Sequence, residues 1–274
     1  MNVHASPTLR PSTSPPTSLP TLSVLIPVYN EEQILESAAS AIARELDAAG
    51  YRYELILCEN GSKDRTREIG AQLAQTIPGL QLLSYPEPNY GRALAAGMRA
   101  ATGEILICFE IDFWDVDFIR QALSLLHRHD IVIGSKRAQG SHDARPLVRR
   151  LATRVYNMLL RMLLGFRGTD THGLKALRRE AIAGIVETCE TDRDVFVTEL
   201  IVRAQYLGLA ITEIPIDVHE IRPAPINIYR RVPRVLRQVM RLSRLASGWR
   251  KQSQAAVQAE AARQPQSAPE PAEP

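Results

Sequence analysis

The stretch Glu104 to Phe118, E-I-L-I-C-F-E-I-D-F-W-D-V-D-F, runs an apolar strand straight into a cluster of four acids. A buried strand of the type Ile105 to Phe109 normally ends in turn residues, yet Glu110, Asp112, Asp115 and Asp117 follow here within eight positions. Two carboxylates one residue apart at the C-terminal edge of a parallel sheet can share a hard divalent ion, and that ion can bridge to phosphate oxygens. The competing reading is a solvated acidic turn that caps the next helix.

Outward from this stretch, apolar runs and amphipathic segments alternate. Strands are predicted over Leu22 to Pro27, Tyr53 to Cys58, Leu80 to Tyr85 and Ile105 to Phe109, and helices over Glu31 to Ala49, Asp64 to Gln75 and Gly91 to Ala101. Short strands separated by helices are the sequence form of right-handed βαβ units around a mainly parallel sheet. The fold class is therefore α/β, an open sheet flanked by helices.

The 274-residue chain, 45% apolar, is long enough for one sizeable core, and the regular alternation argues for a single domain. Residues 1–20 are dominated by Ser, Thr and Pro and residues 250–274 by Ala, Gln, Glu and Pro, so both are expected to be disordered tails around a folded unit at 21–249. A net charge of +3 is too small to imply nucleic acid. Cys58, Cys108 and Cys189 are widely spaced and read as reduced thiols. No run reaches the length of a membrane span and the N-terminus lacks a signal-like apolar stretch, which predicts a cytoplasmic protein, soluble or peripheral on the inner face of the membrane.

Ligands of such sheets bind beyond the C-terminal strand ends. After the first strand comes Pro27-Val28-Tyr29-Asn30-Glu31-Glu32, where Asn30 is expected to cap the next helix. After the second comes Glu59-Asn60-Gly61-Ser62, a turn explained by geometry alone. No G-x-G-x-x-G or G-x-x-x-x-G-K-[ST] follows any strand, which argues against dinucleotide dehydrogenases and P-loop enzymes.

Taken together, the ordered segments L-S-V-L-I-P-V-Y-N-E-E, L-I-L-C-E-N-G-S-K-D-R-T, N-Y-G-R-A-L-A-A-G-M-R-A-A-T-G-E, F-E-I-D, D-I-V-I-G-S-K-R, T-D-T-H-G-L-K-A-L-R-R and I-T-E-I-P-I-D-V-H-E-I-R-P resemble the inverting family-2 nucleotide-sugar glycosyltransferases of the GT-A fold. The similarity runs from about Leu22 to Arg241 and is strongest to the dolichol-phosphate and polyprenyl-phosphate mannosyltransferases. It implies a Rossmann-like sheet, a nucleoside-diphosphate-sugar donor, a divalent cation (magnesium or manganese) and a lipid phosphate acceptor at a membrane surface.

The resemblance also implies site residues. Pro27, Tyr29 and Glu31 would line the nucleoside pocket, with Glu59 where the family usually has an Asp that contacts the base or ribose; Glu110 and Asp112 stand at the D-x-D positions, Asp112 as the expected metal ligand and Glu110 as a ribose or metal contact. Lys136, Arg222 and Arg154 are the cations placed near an acceptor phosphate, with Asp170, His172 and Lys175 on the acceptor side. Glu59-Asn60-Gly61-Ser62 replaces the usual D-D-G-S and Glu110-Ile111-Asp112 the usual D-A-D. Trp114 stands where mannosyltransferases often offer a polar ligand, and Asp115 is expected to supply that oxygen. Arg222 is followed by Pro-Ala-Pro-Ile-Asn-Ile rather than G-x-S-K.

An anionic phosphate acceptor needs no general base, whereas a hydroxyl acceptor does, with Glu199 or Asp170 as candidates and a solvent-facing Glu199 as the plain alternative. A non-catalytic nucleotide-sugar-binding protein is the other alternative. Two basic amphipathic stretches, Leu147 to Phe166 and Tyr229 to Trp249, fit a membrane surface; the alternative is that their apolar faces pack on the core and their arginines are merely solvated. Few aromatics and no binding motif argue against nucleic acid as a partner.

Overall fold

The computed structural model describes residues 21–138, 141, 147–217, 233 and 235–249. In chain order these form β1 (Leu22–Val28), α1 (Leu35–Ala48), β2 (Tyr53–Asn60), α2 (Thr66–Thr76), β3 (Leu80–Tyr85), α3 (Tyr90–Ala100), β4 (Ile105–Cys108), α4 (Val116–Leu125), β5 (Ile131–Ser135), α5 (Leu147–Leu164), β6 (Lys175–Arg178), α6 (Arg179–Thr188), α7 (Phe196–Tyr206) and β7 (Ile211–Pro215). A further helix occupies 235–249. Both expected tails and Arg222 lie outside the described residues.

The strands make one seven-stranded sheet in the order β3-β2-β1-β4-β6-β5-β7. All pairs are parallel except those of β6, which runs antiparallel to both β4 and β5. The mainly parallel α/β sheet expected from the sequence is thus present.

Strand periodicity divides the core into two layers. Val24, Ile26, Leu55 and Leu57 point toward α1, packing with Leu35, Ala39, Ile42 and Leu46. Leu25, Ile56 and Cys58 point the other way, toward α3, α6 and α7. Both faces of β1 and most of β2 are buried, which is why these strands are continuous apolar runs rather than alternating ones. Leu25 is fully buried, and truncation to Ala is expected to cost about 2–5 kcal/mol. On α3, Gly97 permits the helix to lie close on the sheet, because a Cβ there would collide with the Cys58 sulfur.

At the opposite, N-terminal edge the Glu54 carboxylate is a clamp. It accepts from Ser23 Oγ at 2.6 Å, from Thr102 N at 2.6 Å and Oγ1 at 2.9 Å, and from Gly103 N at 3.3 Å. One side chain therefore ties β1, β2 and the α3–β4 turn together.

The two basic stretches behave differently. Residues 235–249 bury Val239, Leu242 and Ala246 against the core, while Arg237, Arg241 and Arg244 are exposed. Trp249 lies under the Arg203 guanidinium, 4.4 Å from ring centroid to Cζ. Over the described part of this stretch the apolar face packs on the core, as the alternative reading required, while residues 229–232 and Arg234 lie outside the described residues. Helix α5 buries Leu160 and Leu164 on one side but leaves a second apolar face uncovered.

Candidate active site

Strands β2 and β3 extend from β1 in one direction and β4 lies on its other side, so the chain reverses its course across the sheet between β1 and β4. The crevice outside the C-terminal ends of these two strands is where open α/β sheets bind ligands. Most of the predicted site residues converge on it.

On one side, the loops after β1 and β2 are zipped together by side-chain-to-backbone bonds. Asn30 N–H donates to Ser62 Oγ at 3.0 Å, and Lys63 N–H returns a bond to Asn30 Oδ1 at 2.8 Å. Glu31 N–H donates to Thr66 Oγ1 at 2.7 Å and Glu32 N–H to Asp64 Oδ2 at 3.2 Å. Asn30 adopts the left-handed region with φ 54° and serves this cross-link rather than capping α1, whose first helical residue is Leu35. Pro27 is buried at the end of β1, and Tyr29 is 39% exposed at the crevice mouth.

Glu59 is fully buried and both of its oxygens are engaged, one by Ser62 N–H and the other by Arg67 Nε at 3.2 Å. The structure thus gives it the job of shaping the Asn60-Gly61-Ser62 turn. Gly61 sits at φ +68°, and a Cβ there would fall 2.7 Å from the Glu87 carbonyl carbon. That close approach lets Asn60 Oδ1 accept from Asn89 N–H, fixing the start of α3, where Asn89 is the helix cap.

The acidic stretch after β4 is a closed turn. Glu110 N–H donates to Phe113 O and Phe113 N–H to Glu110 O, both at 3.1 Å, and Ile111 is buried beneath. Asp112 therefore stands half-exposed at the turn tip. Glu110 accepts from the Tyr90 hydroxyl at 3.1 Å. Burial raises the Glu110 carboxyl above its ordinary value and Asp112 adds to the rise, while Lys175, Tyr90 and Lys136 oppose it. Asp115 caps α4, accepting from Phe118 N–H at 3.1 Å, as the competing reading of this acidic stretch required.

The cations come from the far side, and the antiparallel β6 explains how. Because β6 runs backward, its first residue lies at the C-terminal ends of its neighbours: Lys175 pairs with Cys108 of β4 and Ile133 of β5. The residues preceding it, Asp170 to Leu174, are carried to the same edge, where Lys136 emerges after β5. Lys136 Nζ lies 3.3 Å from Asp170 Oδ2. His172 N–H donates to Asp170 Oδ1 at 2.9 Å. Burial works against the ionised Asp170, but Lys136, His172 and this N–H outweigh it and hold its pKa below the ordinary value. Burial also lowers Lys175, against the pull of Cys108, Glu110 and Asp170. Its ammonium donates to Gly173 O.

The loop bearing Asp170 is itself held in place by Glu213 on β7, a residue the sequence did not single out. The Glu213 carboxylate accepts from Thr169 N–H at 2.6 Å, from Thr169 Oγ1 and from Asp170 N–H at 3.4 Å. Tyr90 was missed as well; its signal was an aromatic residue directly after the α3 cap, facing the strand end that carries the acids.

Glu199 belongs elsewhere. It is fully buried on α7 and accepts from Glu190 N–H at 3.0 Å, Thr191 N–H at 2.6 Å and Arg203 Nε at 2.8 Å. A carboxylate so engaged is a structural anchor, neither a general base nor a solvent-facing residue. Arg154 is exposed on α5.

Hard carboxylate oxygens suit magnesium or manganese. Among the described residues no group of three or more His, Cys, Asp or Glu is placed to hold a metal ion alone. Glu110 and Asp112 are carboxylates of the kind that would suit such an ion, and two carboxylates alone do not fill its coordination shell.

The chain belongs to glycosyl transferase family 2, whose model matches residues 23–185. It is 27% identical over 228 residues to glycosyltransferase AglD of Haloferax volcanii, covering 80% of this chain and 36% of that protein. To the dolichyl-phosphate beta-glucosyltransferase ALG5A of Trichomonas vaginalis it is 28% identical over 221 residues, 76% of this chain and 68% of the relative. The chain thus spans about a third of the first relative's length and two thirds of the second's. The structure of glucosyl-3-phosphoglycerate synthase from Mycobacterium tuberculosis, in complex with Mn2+, UDP and glucosyl-3-phosphoglycerate, superposes with a TM-score of 0.58 at 22% identity, over 84% of this chain and 80% of that one. That likeness concerns the fold.

Proposed function

We propose that this glycosyltransferase moves a sugar from a nucleoside-diphosphate sugar to a polyprenyl phosphate of the dolichol type, with inversion, at a membrane surface and with a divalent cation, magnesium or manganese. The observation that carries the reading is the meeting of two opposite charge sets at one sheet edge: Glu110 and Asp112 after β4, Lys136 and Lys175 from β5 and β6. The likeness to the Trichomonas dolichyl-phosphate beta-glucosyltransferase supports the lipid phosphate acceptor. The mycobacterial synthase, of the same fold and in complex with UDP and Mn2+, supports a nucleotide and a manganese ion.

In this reading Pro27, Tyr29 and Glu31 border the nucleoside, with Glu59 shaping the adjoining turn. Glu110 and Asp112 hold the cation, which when bound supplies charge neutralisation for the departing diphosphate. Tyr90 orients Glu110. Lys136, with Arg222 from outside the described residues, holds the acceptor phosphate, and Asp170 keeps the Lys136 ammonium in place. An acceptor phosphate oxygen is already anionic, so it attacks the anomeric carbon from the face opposite the leaving group without a protein base. The full engagement of Glu199, and the pairing of Asp170 with Lys136 and His172 N–H, favour this over a hydroxyl acceptor.

The test is single-turnover transfer from a panel of nucleoside-diphosphate sugars to a short, water-soluble polyprenyl phosphate, with manganese or with chelator. Metal-dependent formation of a sugar-phosphate lipid is the expected result. Transfer to phosphoglycerate or to a sugar hydroxyl in its place overturns the acceptor assignment, and nucleotide binding with no transfer overturns the activity.

A further inference from the structure

Helix α5 has two apolar faces, and the described residues cover only one. Tyr156, Leu160 and Leu164 pack on the core with Leu200 and Ile201, and buried Asn157 donates to Thr169 O at 2.7 Å. The helix ends at Gly165, with φ 62°, and Phe166 N–H returns to Leu160 O at 3.3 Å. This end pins the helix firmly against the domain.

Its other side carries Leu147, Val148, Leu151, Val155, Met158 and Met162, exposed by between 44% and 77%. At about 100° per residue, these six positions fall within one arc of roughly 100°. Arg150, Arg154 and Arg161 lie along one edge of that arc, between the apolar stripe and the core-facing side, and the helix contains no Asp or Glu. A soluble surface rarely leaves a stripe of this length bare.

We infer that α5 is the element that docks the protein on an anionic lipid surface, lying in the plane of the headgroups with the stripe in the acyl boundary and the arginines at the phosphate level. Charge decides the occupant. A stripe edged by Arg150, Arg154 and Arg161, on a helix without acids, complements an anionic bilayer, whereas a second copy of the same face would bring like charges together. The helix over 235–249 is not a comparable candidate, since its apolar residues are spent on the core and only Leu236 and Met240 remain exposed. No described helix is long and apolar enough to cross a membrane, so contact through α5 is contact from one side. The location also suits the proposed acceptor, because α5 touches the acceptor-side loop directly: the Tyr156 and His172 rings meet edge to face at 5.5 Å and Arg161 donates to Gly168 O.

Docking itself stands without the proposed reaction; only its benefit to transfer rests on that reading. The experiment uses the full chain and vesicles of phosphatidylcholine with or without phosphatidylglycerol. The triple variant Leu151→Gln, Met158→Gln, Met162→Gln is compared with Leu236→Gln, Met240→Gln. The α5 triple should lose at least roughly tenfold in partition to anionic vesicles, while the second variant stays within about twofold of the parent and both keep the parent's thermal midpoint. Transfer to a water-soluble polyprenyl phosphate should be unchanged in the triple, and transfer to a long-chain acceptor in vesicles reduced. Equal vesicle partition of triple and parent overturns the inference. So does a parent that is dimeric without lipid and becomes monomeric in the triple, which assigns the stripe to a second copy. A parent that binds vesicles through α5 yet transfers nothing to either acceptor leaves docking intact and sinks the proposed reaction instead.

Discussion

The Lys136 ammonium stands 3.3 Å from the Asp170 carboxylate, with Asp170 2% and Lys136 12% exposed, at the edge where β5 ends and β6 begins. Among the described residues Asp170 Oδ2 makes no hydrogen bond of good geometry, so this contact is an ion pair rather than a fixed bond. A cation held this way keeps its donors for an incoming anion. Lys136→Ala is expected to slow transfer to a polyprenyl phosphate at least roughly tenfold, equivalent to about 1.4 kcal/mol. Asp170→Asn should slow it as well, because the ammonium loses its anchor. Single-turnover rates measure both, and parental rates in each would remove the pair from the acceptor site.

Asp112→Asn should abolish the part of nucleoside-diphosphate affinity that depends on manganese, while metal-free binding persists. Calorimetry with and without the ion separates the two. The side chain stands at the tip of a turn closed by two backbone bonds, so the amide variant keeps the local structure. Undiminished metal-assisted affinity would take Asp112 out of the site.

Glu54 gives a prediction about acid stability. Burial would raise its carboxyl, but the bonds from Ser23, Thr102 and Gly103 hold it below the ordinary 4.5. A depressed folded-state value contributes stability that is present above the unfolded pKa and lost as pH falls through the folded one. At neutral pH Glu54→Gln should be about 1–3 kcal/mol less stable than the parent, and the gap should close as pH is lowered from about 5. Urea midpoints across that range check it; a gap independent of pH would count against the ionised clamp.

Glu199→Gln is expected to act on stability. Removing the charge leaves the Arg203 guanidinium, itself 12% exposed, without its buried partner, at a cost of about 3 kcal/mol. Thermal unfolding should report the loss, and the rate per folded molecule should remain near that of the parent. A large fall in that rate with no change in midpoint would return Glu199 to the chemistry.

The first four strands and the three helices between them were legible because burial on both sheet faces writes itself as short continuous apolar runs. Helix α1 starts four residues later than the pattern suggested, because Asn30, Glu31 and Glu32 bond across to the Ser62 to Thr66 loop, a contact between segments about thirty positions apart. Glu110 and Asp112 were visible from their place after β4. Glu213 was not, since its role depends on β7 lying beside β5 and on the loop before β6 returning to that edge. The two basic stretches looked alike in sequence; only packing separates the helix that spends its apolar face on the core from the one that does not.

The reversed direction of β6 has one more consequence. In a pleated strand a slip of one position moves every side chain to the opposite face, and here it would put Leu174 in the place of Lys175 opposite Cys108. The charge balance at the crevice therefore comes into being only when this late strand has settled between β4 and β5 in its one correct alignment. With the proposed site, catalytic competence doubles as a readout of finished assembly, and a refolding experiment that follows activity should trail one that follows helix content.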